Sequence, residues 1–299
     1  MAKVLICDSI AKTAVEEMRA AGAIVDVRDD ITAEELAQVV GEYEAIVVRS
    51  RTKVRAPVLE NPGNLKAIIR GGVGIDNIDA AVADSKGIKV LNTPAASSNA
   101  VAELALGMMF ALARAIPYAD ASMKAGKWEK KTLKGTELAG KTLGVIGYGR
   151  IGQLLGEKAR ALGMLVVAYD PYAKHPDVIP LDELLAQADY VSLHLPHTEQ
   201  THHLLGKEAI AKMKRGALVI DAARGGVVDE EALYNALLEG QLAGAALDVF
   251  SEEPPQSELL HNLIALPQVV VMPHVGASTK EAQERIGGEV VKLVKEHLL

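Results

Sequence analysis

Residues 142–152 read Thr142-Leu143-Gly144-Val145-Ile146-Gly147-Tyr148-Gly149-Arg150-Ile151-Gly152, and a second apolar run over residues 165–169 ends in Asp170. An apolar strand enters three glycines, helix-forming sequence leaves them, and an acid follows about 20 residues on. Together these mark a dinucleotide-binding turn. Gly147 permits the tight turn, Gly149 lets the backbone approach a pyrophosphate, and Gly152 lets the helix pack closely on the strand. The N–H groups of the first helical turn, around Arg150 and Ile151, then face the phosphates with the helix dipole behind them. Asp170 is placed to accept the adenosine ribose hydroxyls. A 2′-phosphate there meets a like charge, so NAD is expected over NADP.

The same strand-then-helix rhythm runs along the chain. Apolar runs at residues 4–6, 24–27, 45–48, 67–69 and 90–91 alternate with helical spacing over residues 11–21 and 33–40. From residue 143 the rhythm restarts, with strands expected at 166–169, 190–195, 218–220, 245–248 and 269–271 and an amphipathic helix over 279–297. Short continuous apolar runs belong to parallel sheets buried on both faces. Between the two series, residues 98–114 read as a long apolar helix, followed by a polar arm over residues 124–137. The expected class is α/β, with two doubly wound, Rossmann-like parallel-sheet domains and a cleft between them. Ligands in such sheets bind at the carboxyl ends of the strands.

Composition fits that class and excludes others. A chain of 299 residues has material for about two domains. Its 49% hydrophobic and 24% charged residues are ordinary for a globular protein. A net charge of -7 offers no basic footprint, so neither nucleic acid nor an anionic membrane is an expected partner. Any anionic substrate must be drawn by local positive charge. No apolar run reaches the roughly 20 residues of a membrane span, and the first residues lack a signal-peptide layout. Cys7 is the only cysteine and excludes an intrachain disulfide. These features point to a reducing cytoplasm.

Three residue types suited to one chemistry lie just past expected strands. Arg224 follows the run 217–220 beside two glycines, Glu253 follows the run 245–248, and His274 follows the run 269–271. Oxidising an alcohol beside a carboxylate needs a base for the hydroxyl proton, and histidine titrates near neutrality. A neighbouring carboxylate favours the imidazolium and fixes the ring, which suits Glu253. The planar fork of Arg224 can bind a carboxylate through two parallel hydrogen bonds. At three consecutive strand ends of one sheet, these groups can converge on one point.

The segments RGGVGIDNID (70–79), LNTP (91–94), GYGRIG (147–152), ARGGVVD (223–229), GAALDVFSEEPP (244–255) and PHVGASTKEA (273–282) resemble the D-2-hydroxyacid dehydrogenase family over essentially the whole chain. The resemblance implies that Arg224, Glu253 and His274 are catalytic, with Glu253 and not Glu252 matching the acid before a proline. It implies that Asp248 holds the nicotinamide amide, and that Gly72, Val73 and Gly74 present backbone N–H groups to the substrate carboxylate. The family fold implies a discontinuous substrate domain, residues 1–93 and 280–299, around an NAD domain of residues 94–279. The helix and arm imply a homodimer or dimer of dimers.

Within the family, the members that oxidise D-3-phosphoglycerate to 3-phosphohydroxypyruvate, the first step of serine biosynthesis, are most similar. A phosphorylated hydroxyacid needs further cations, and Arg49-Ser50-Arg51 supplies two guanidiniums and a hydroxyl, with Arg70, Lys130 and Lys131 as additional candidates. Many such members continue into serine-binding regulatory domains. The sequence ends at Leu299, so feedback by that route is not expected. An unphosphorylated acid of the glycerate type is the alternative substrate. Corepressor-type nucleotide-sensing proteins share the fold but carry extensions not evident here, and formate dehydrogenases carry Gln where Glu253 stands. His194, His197, His202 and His203 match no zinc spacing, and no metal is expected.

Overall fold

Strand β1 (Lys3–Ile6) opens a five-stranded parallel sheet completed by β2 (Ile24–Val27), β3 (Ala45–Val48), β4 (Ala67–Arg70) and β5 (Lys89–Asn92), in the order β2-β1-β3-β4-β5. The computed structural model describes residues 1–299 throughout. Helices α1 (Lys12–Ala20), α2 (Ala33–Val39) and α3 (Ala80–Ser85) make crossovers that a parallel sheet requires. Strands β3 and β4 are buried at every position, which is why their sequences are apolar without alternation. Each buried Val, Ile or Leu contributes roughly 1.5–3 kcal/mol. Thr32 caps α2 reciprocally with Glu35, fixing where that helix starts.

The order of the first sheet reverses between β1 and β3. Their carboxyl ends carry Asp8 and Arg49-Ser50-Arg51, so the switch point where such sheets bind ligands is charged.

Two long helices lie further along the chain, α4 (Ser98–Arg114) and α5 (Ile116–Lys124). Ala115 joins them with a left-handed φ of 47°, and Pro117 sits in the first turn of α5. The polar arm anticipated from residue 124 therefore follows a second helix. No single helix is long and apolar enough to cross a membrane.

A second parallel sheet holds β6 (Thr142–Ile146), β7 (Leu165–Tyr169), β8 (Tyr190–Leu193), β9 (Ala217–Asp221), β10 (Leu242–Leu247) and β11 (Val269–Val271), ordered β11-β10-β9-β8-β6-β7. Helices α6 (Arg150–Ala161), α7 (Leu181–Gln187), α8 (Lys207–Lys212), α9 (Glu230–Leu238) and α10 (Glu258–Ile264) cover it together with α4. The order reverses between β6 and β8, directly above the glycine turn. The last helix, α11 (Lys280–Leu298), returns to the first sheet through Ile286, Val290 and Val294. Gly287 lets α11 approach α1, since an added Cβ there would lie 3.0 Å from the Ala14 side chain.

By internal contacts the chain forms two units, Met1–Ser98 with Ala277–Leu299, and Asn99–Gly276. Each has apolar clusters on both faces of its sheet.

Candidate active site

Within the second unit, adjacent strands β9, β10 and β11 deliver Arg224, Glu253 and His274 from their carboxyl ends. His274 Nδ1 lies 2.7 Å from Glu253 Oε2, and the other Glu253 oxygen accepts the Phe250 N–H at 3.2 Å. Nδ1–H donates to the carboxylate, which leaves Nε2 as the basic nitrogen. Burial raises the Glu253 carboxyl, but its bond to His274, that ring's charge, the Phe250 amide and Arg224 outweigh it and hold the group below its ordinary value. Glu253 is therefore ionised through the neutral range.

Gly225 explains how Arg224 joins this pair. A Cβ at Gly225 would collide with the Phe250 carbonyl, so the Arg224 turn lies tight against the turn leading to Glu253. Arg224 Nη1 donates to the Ala223 carbonyl at 2.6 Å. An apolar cavity of about 360 Å³, walled by Phe250, Pro254, Ile264, Met272 and Pro273, opens against the His274–Glu253 pair.

The glycine turn has the form a dinucleotide needs. Gly147 has a φ of 92°, a left-handed conformation that favours glycine. A Cβ on Gly147 would strike the His194 carbonyl, and one on Gly152 would strike the Gly147 carbonyl and the Val145 side chain. Gly149, by contrast, borders open space and caps α6 without a side chain, leaving the N–H groups of the first turn, from Arg150 and Ile151 on, for an anion. Asp170 accepts the Tyr148 N–H at 2.9 Å on Oδ2 and the Tyr172 and Ala173 N–H groups at 2.9 and 3.2 Å on Oδ1. With about four acceptor positions on a carboxylate, one on Oδ2 remains for a ribose hydroxyl.

In the first unit two of the candidate residues already have partners within the protein. The Arg51 side chain stays half exposed, while Nε pairs with Asp8 Oδ1 at 3.0 Å, Nη1 donates to the Ile31 carbonyl at 3.1 Å and Nη2 donates to the Cys7 carbonyl. Asp8 is 4% exposed, so the ion pair is anchored on its carboxylate side. Gly72 N–H donates to the Arg70 carbonyl at 2.9 Å, closing a tight turn instead of facing a substrate. Val73 and Gly74 continue that turn, and Asn92 Nδ2 donates to the Val73 carbonyl at 2.5 Å.

Arg49 and Arg70 have a different setting. Arg49 Nη1 donates to Gln283 Oε1 at 2.5 Å, and burial lowers the Arg49 pKa from its ordinary value against the opposing pull of Asp8. Arg70 is 7% exposed and donates from Nη2 to Ser50 Oγ at 3.3 Å. Its guanidinium lies so close to Gly72 that no Cβ fits there.

Three histidines of the loop after β8 contact one another. His197 Nε2 lies 3.1 Å from His202 Nδ1, His202 stacks on His203 at 3.9 Å, and His203 N–H donates to the Gly226 carbonyl at 2.9 Å. His194 is partly buried and pushed down to about 4 by burial, with Ser192 Oγ 2.9 Å from its Nε2. Burial likewise pushes the Cys7 thiol up to about 12, an unreactive state.

Residues 106–276 match the model of the D-isomer-specific 2-hydroxyacid dehydrogenase NAD-binding domain. The chain belongs to that family. A hydroxypyruvate reductase of Thermotoga maritima is 52% identical over 88% of this chain and 88% of its own length. A D-3-phosphoglycerate dehydrogenase of Methanocaldococcus jannaschii is 46% identical across 100% of this chain, which spans 58% of that relative. Among solved structures, the D-lactate dehydrogenase of Aquifex aeolicus complexed with NAD and lactic acid is 31% identical, with a TM-score of 0.85 over 98% of this chain and 94% of that one.

For a D-2-hydroxyacid dehydrogenase, two buried acids near the site are notable. Asp248 is 2% exposed, and its oxygens accept the Val275 and Gly276 N–H groups at 2.8 Å each, while its carbonyl accepts the His274 N–H at 2.9 Å. It therefore holds the loop on which His274 takes a left-handed φ of 52°. Each carboxylate oxygen keeps a further acceptor position for an amide. Asp221 accepts the Ala223 N–H at 2.9 Å, shaping the turn that carries Arg224, and burial above all pushes it up to about 7. The sequence signal for this second role was only an acid two residues before a turn N–H.

Proposed function

We propose that the chain oxidises D-3-phosphoglycerate to 3-phosphohydroxypyruvate, with Arg224, Glu253 and His274 as its catalytic residues. The observation that carries this reading is the 2.7 Å His274–Glu253 pair beside Arg224, in the unit that also holds the glycine turn. Arg224 binds the substrate carboxylate. His274 Nε2 takes the hydroxyl proton during oxidation and returns it during reduction, and Glu253 holds the ring and balances the imidazolium. NAD, held by the glycine turn, Arg150, Ile151, Asp170 and Asp248, supplies the hydride acceptor.

The substrate phosphate is assigned to Arg49, Ser50 and Arg70, with Val73 and Gly74 lending backbone N–H groups to the carboxylate. Arg51 is left out because the scaffold holds all three of its nitrogens. Arg70→Gln is then expected to lower kcat/KM for D-3-phosphoglycerate by at least about tenfold more than for D-glycerate, since a charged hydrogen bond is worth roughly 1.5–3 kcal/mol. The measurement is NADH formation on both acids. Equal losses remove the phosphate assignment.

The second reading is reduction of hydroxypyruvate to glycerate on the same machinery. It is favoured by the 52% identity to the Thermotoga maritima relative over 88% of each chain. A higher kcat/KM for wild-type protein on hydroxypyruvate than on the phosphorylated ketoacid selects it.

A homodimer is proposed through α4 and α5. Phe110, Ile116, Tyr118 and Met123 are 38%, 51%, 43% and 54% exposed on these helices, an apolar face of the kind that marks an interface. Phe110→Glu with Ile116→Glu is expected to halve the mass measured by light scattering. Unchanged mass places any interface elsewhere.

A further inference from the structure

Tyr148 stands between the first two glycines of the pyrophosphate turn, yet it is 1% exposed and turned away from the open face of that turn. Its backbone N–H donates to Asp170 Oδ2 at 2.9 Å, and its hydroxyl donates to Asp177 Oδ2 at 2.6 Å. These two acids bracket residues 170–177, the segment that leaves β7 on the ribose side. Arg160, the penultimate residue of α6, donates to the same Asp177 oxygen, and its Nη1 lies 3.5 Å from the Tyr148 hydroxyl. His175 sets its ring edge against Tyr148 at 5.0 Å and accepts the Asp177 N–H on Nδ1 at 3.2 Å.

The backbone continues the fastening. Ala168 N–H donates to the Asp177 carbonyl and Ile179 N–H to the Ala168 carbonyl, each at 2.8 Å, so the far end of the segment lies against β7. Burial raises the Asp177 carboxyl, but the bonds from Tyr148 and Arg160 and the guanidinium charge bring it below its ordinary value, keeping it an acceptor. Gly156 makes room for the ring, since a Cβ there would lie 3.1 Å from the Tyr148 hydroxyl.

We infer that Tyr148 is a positioning residue for the cofactor. Through Asp177 and Arg160 it locks the ribose-side segment, and with it Asp170, to the turn that holds the pyrophosphate. The two halves of the dinucleotide site are thereby set at a fixed separation before the ligand arrives, which lowers the ordering cost of binding. This inference rests on the NAD-binding reading of the unit. It concerns affinity for the dinucleotide only, because none of these groups touches the Arg224, Glu253 or His274 side chains.

The test is NADH binding by fluorescence, with amide hydrogen exchange and steady-state kinetics, on wild type, Tyr148→Phe, Asp177→Asn and Asp177→Ala. Tyr148→Phe removes one buried hydrogen bond and is expected to raise the NADH Kd and the KM for NAD about threefold to tenfold. The kcat and the hydroxyacid KM should hold steady, and the Tyr172 and Ala173 amides should exchange faster. Asp177→Asn keeps an oxygen for the Tyr148 hydroxyl and should stay within about twofold of wild type, while Asp177→Ala should match Tyr148→Phe or exceed it. The Tyr148→Phe, Asp177→Ala double variant should bind no more weakly than Asp177→Ala alone, as for groups acting through one contact.

Wild-type binding with an unchanged Kd in Tyr148→Phe overturns the inference and leaves the cofactor reading standing. Fully additive losses in the double variant overturn it too. Wild-type protein that binds no NADH overturns both.

Discussion

His274→Ala is expected to lower kcat in both directions by about 10²–10⁴-fold, the usual worth of a positioned general acid–base group. The NADH Kd should stay at the wild-type value, because the glycine turn and Asp170 lie on β6 and β7 while His274 follows β11. Oxidation releases a proton from the hydroxyl as the carbon is oxidised, so its active form carries a neutral ring with Nε2 open. Reduction needs the protonated ring. Glu253 is held below its ordinary carboxylate range, so its charge is present over the whole neutral range and is lost only as pH falls through that lowered value. Removing the charge by Glu253→Gln takes away what favours the protonated ring. The acidic limb of the oxidation profile should then move to lower pH, and reduction should lose rate at neutral pH. The check is a pH–rate profile in both directions with NADH binding alongside. Near-normal turnover in His274→Ala, or profiles unmoved in Glu253→Gln, removes these residues from acid–base catalysis.

Much of this arrangement was legible before any coordinates because the sheets are parallel and buried on both faces. Strands such as β3 and β8 are buried at all four positions, so they stand out as apolar blocks whose ends locate the chemistry. Arg224, Glu253 and His274 could be grouped for that reason. The glycines could be read because backbone geometry, not packing, dictates them.

What escaped the sequence was decided by side-chain direction and by partners distant in the chain. Arg51 sits at a strand end like Arg49, yet its Nε is paired with the buried Asp8, which follows a different strand. Helix α5 follows α4 after a single left-handed residue, Ala115, a junction that neither glycine nor a polar cap announces. Nothing in the sequence singles out Tyr148 between the glycines, since its partner Asp177 lies 29 residues away. Asp248 and Asp221 each also shape the loop that carries another residue of the site, through bonds to backbone N–H groups that the sequence does not announce.

Arg224→Gln is expected to reduce kcat/KM for the hydroxyacid by about 10²–10³-fold, in line with the roughly 2–5 kcal/mol lost when one partner of a hydrogen-bonded charge pair is truncated. Most of the loss should fall in KM, since a carboxylate attached to the reacting carbon is held in ground and transition states alike. Arg224→Lys should recover only part of it, because an ammonium is a point charge and cannot offer two parallel donors. The turn itself should survive either substitution. It is built by the Ala223 N–H to Asp221 bond of 2.9 Å and by the close seating of Gly225 on the Phe250 carbonyl, neither of which involves the Arg224 guanidinium. An unchanged thermal midpoint and NADH Kd would then place the loss in substrate recognition and not in folding. Lys performing as well as Arg would show that charge alone suffices, and a Gln variant within about threefold of wild type would remove Arg224 from carboxylate binding altogether.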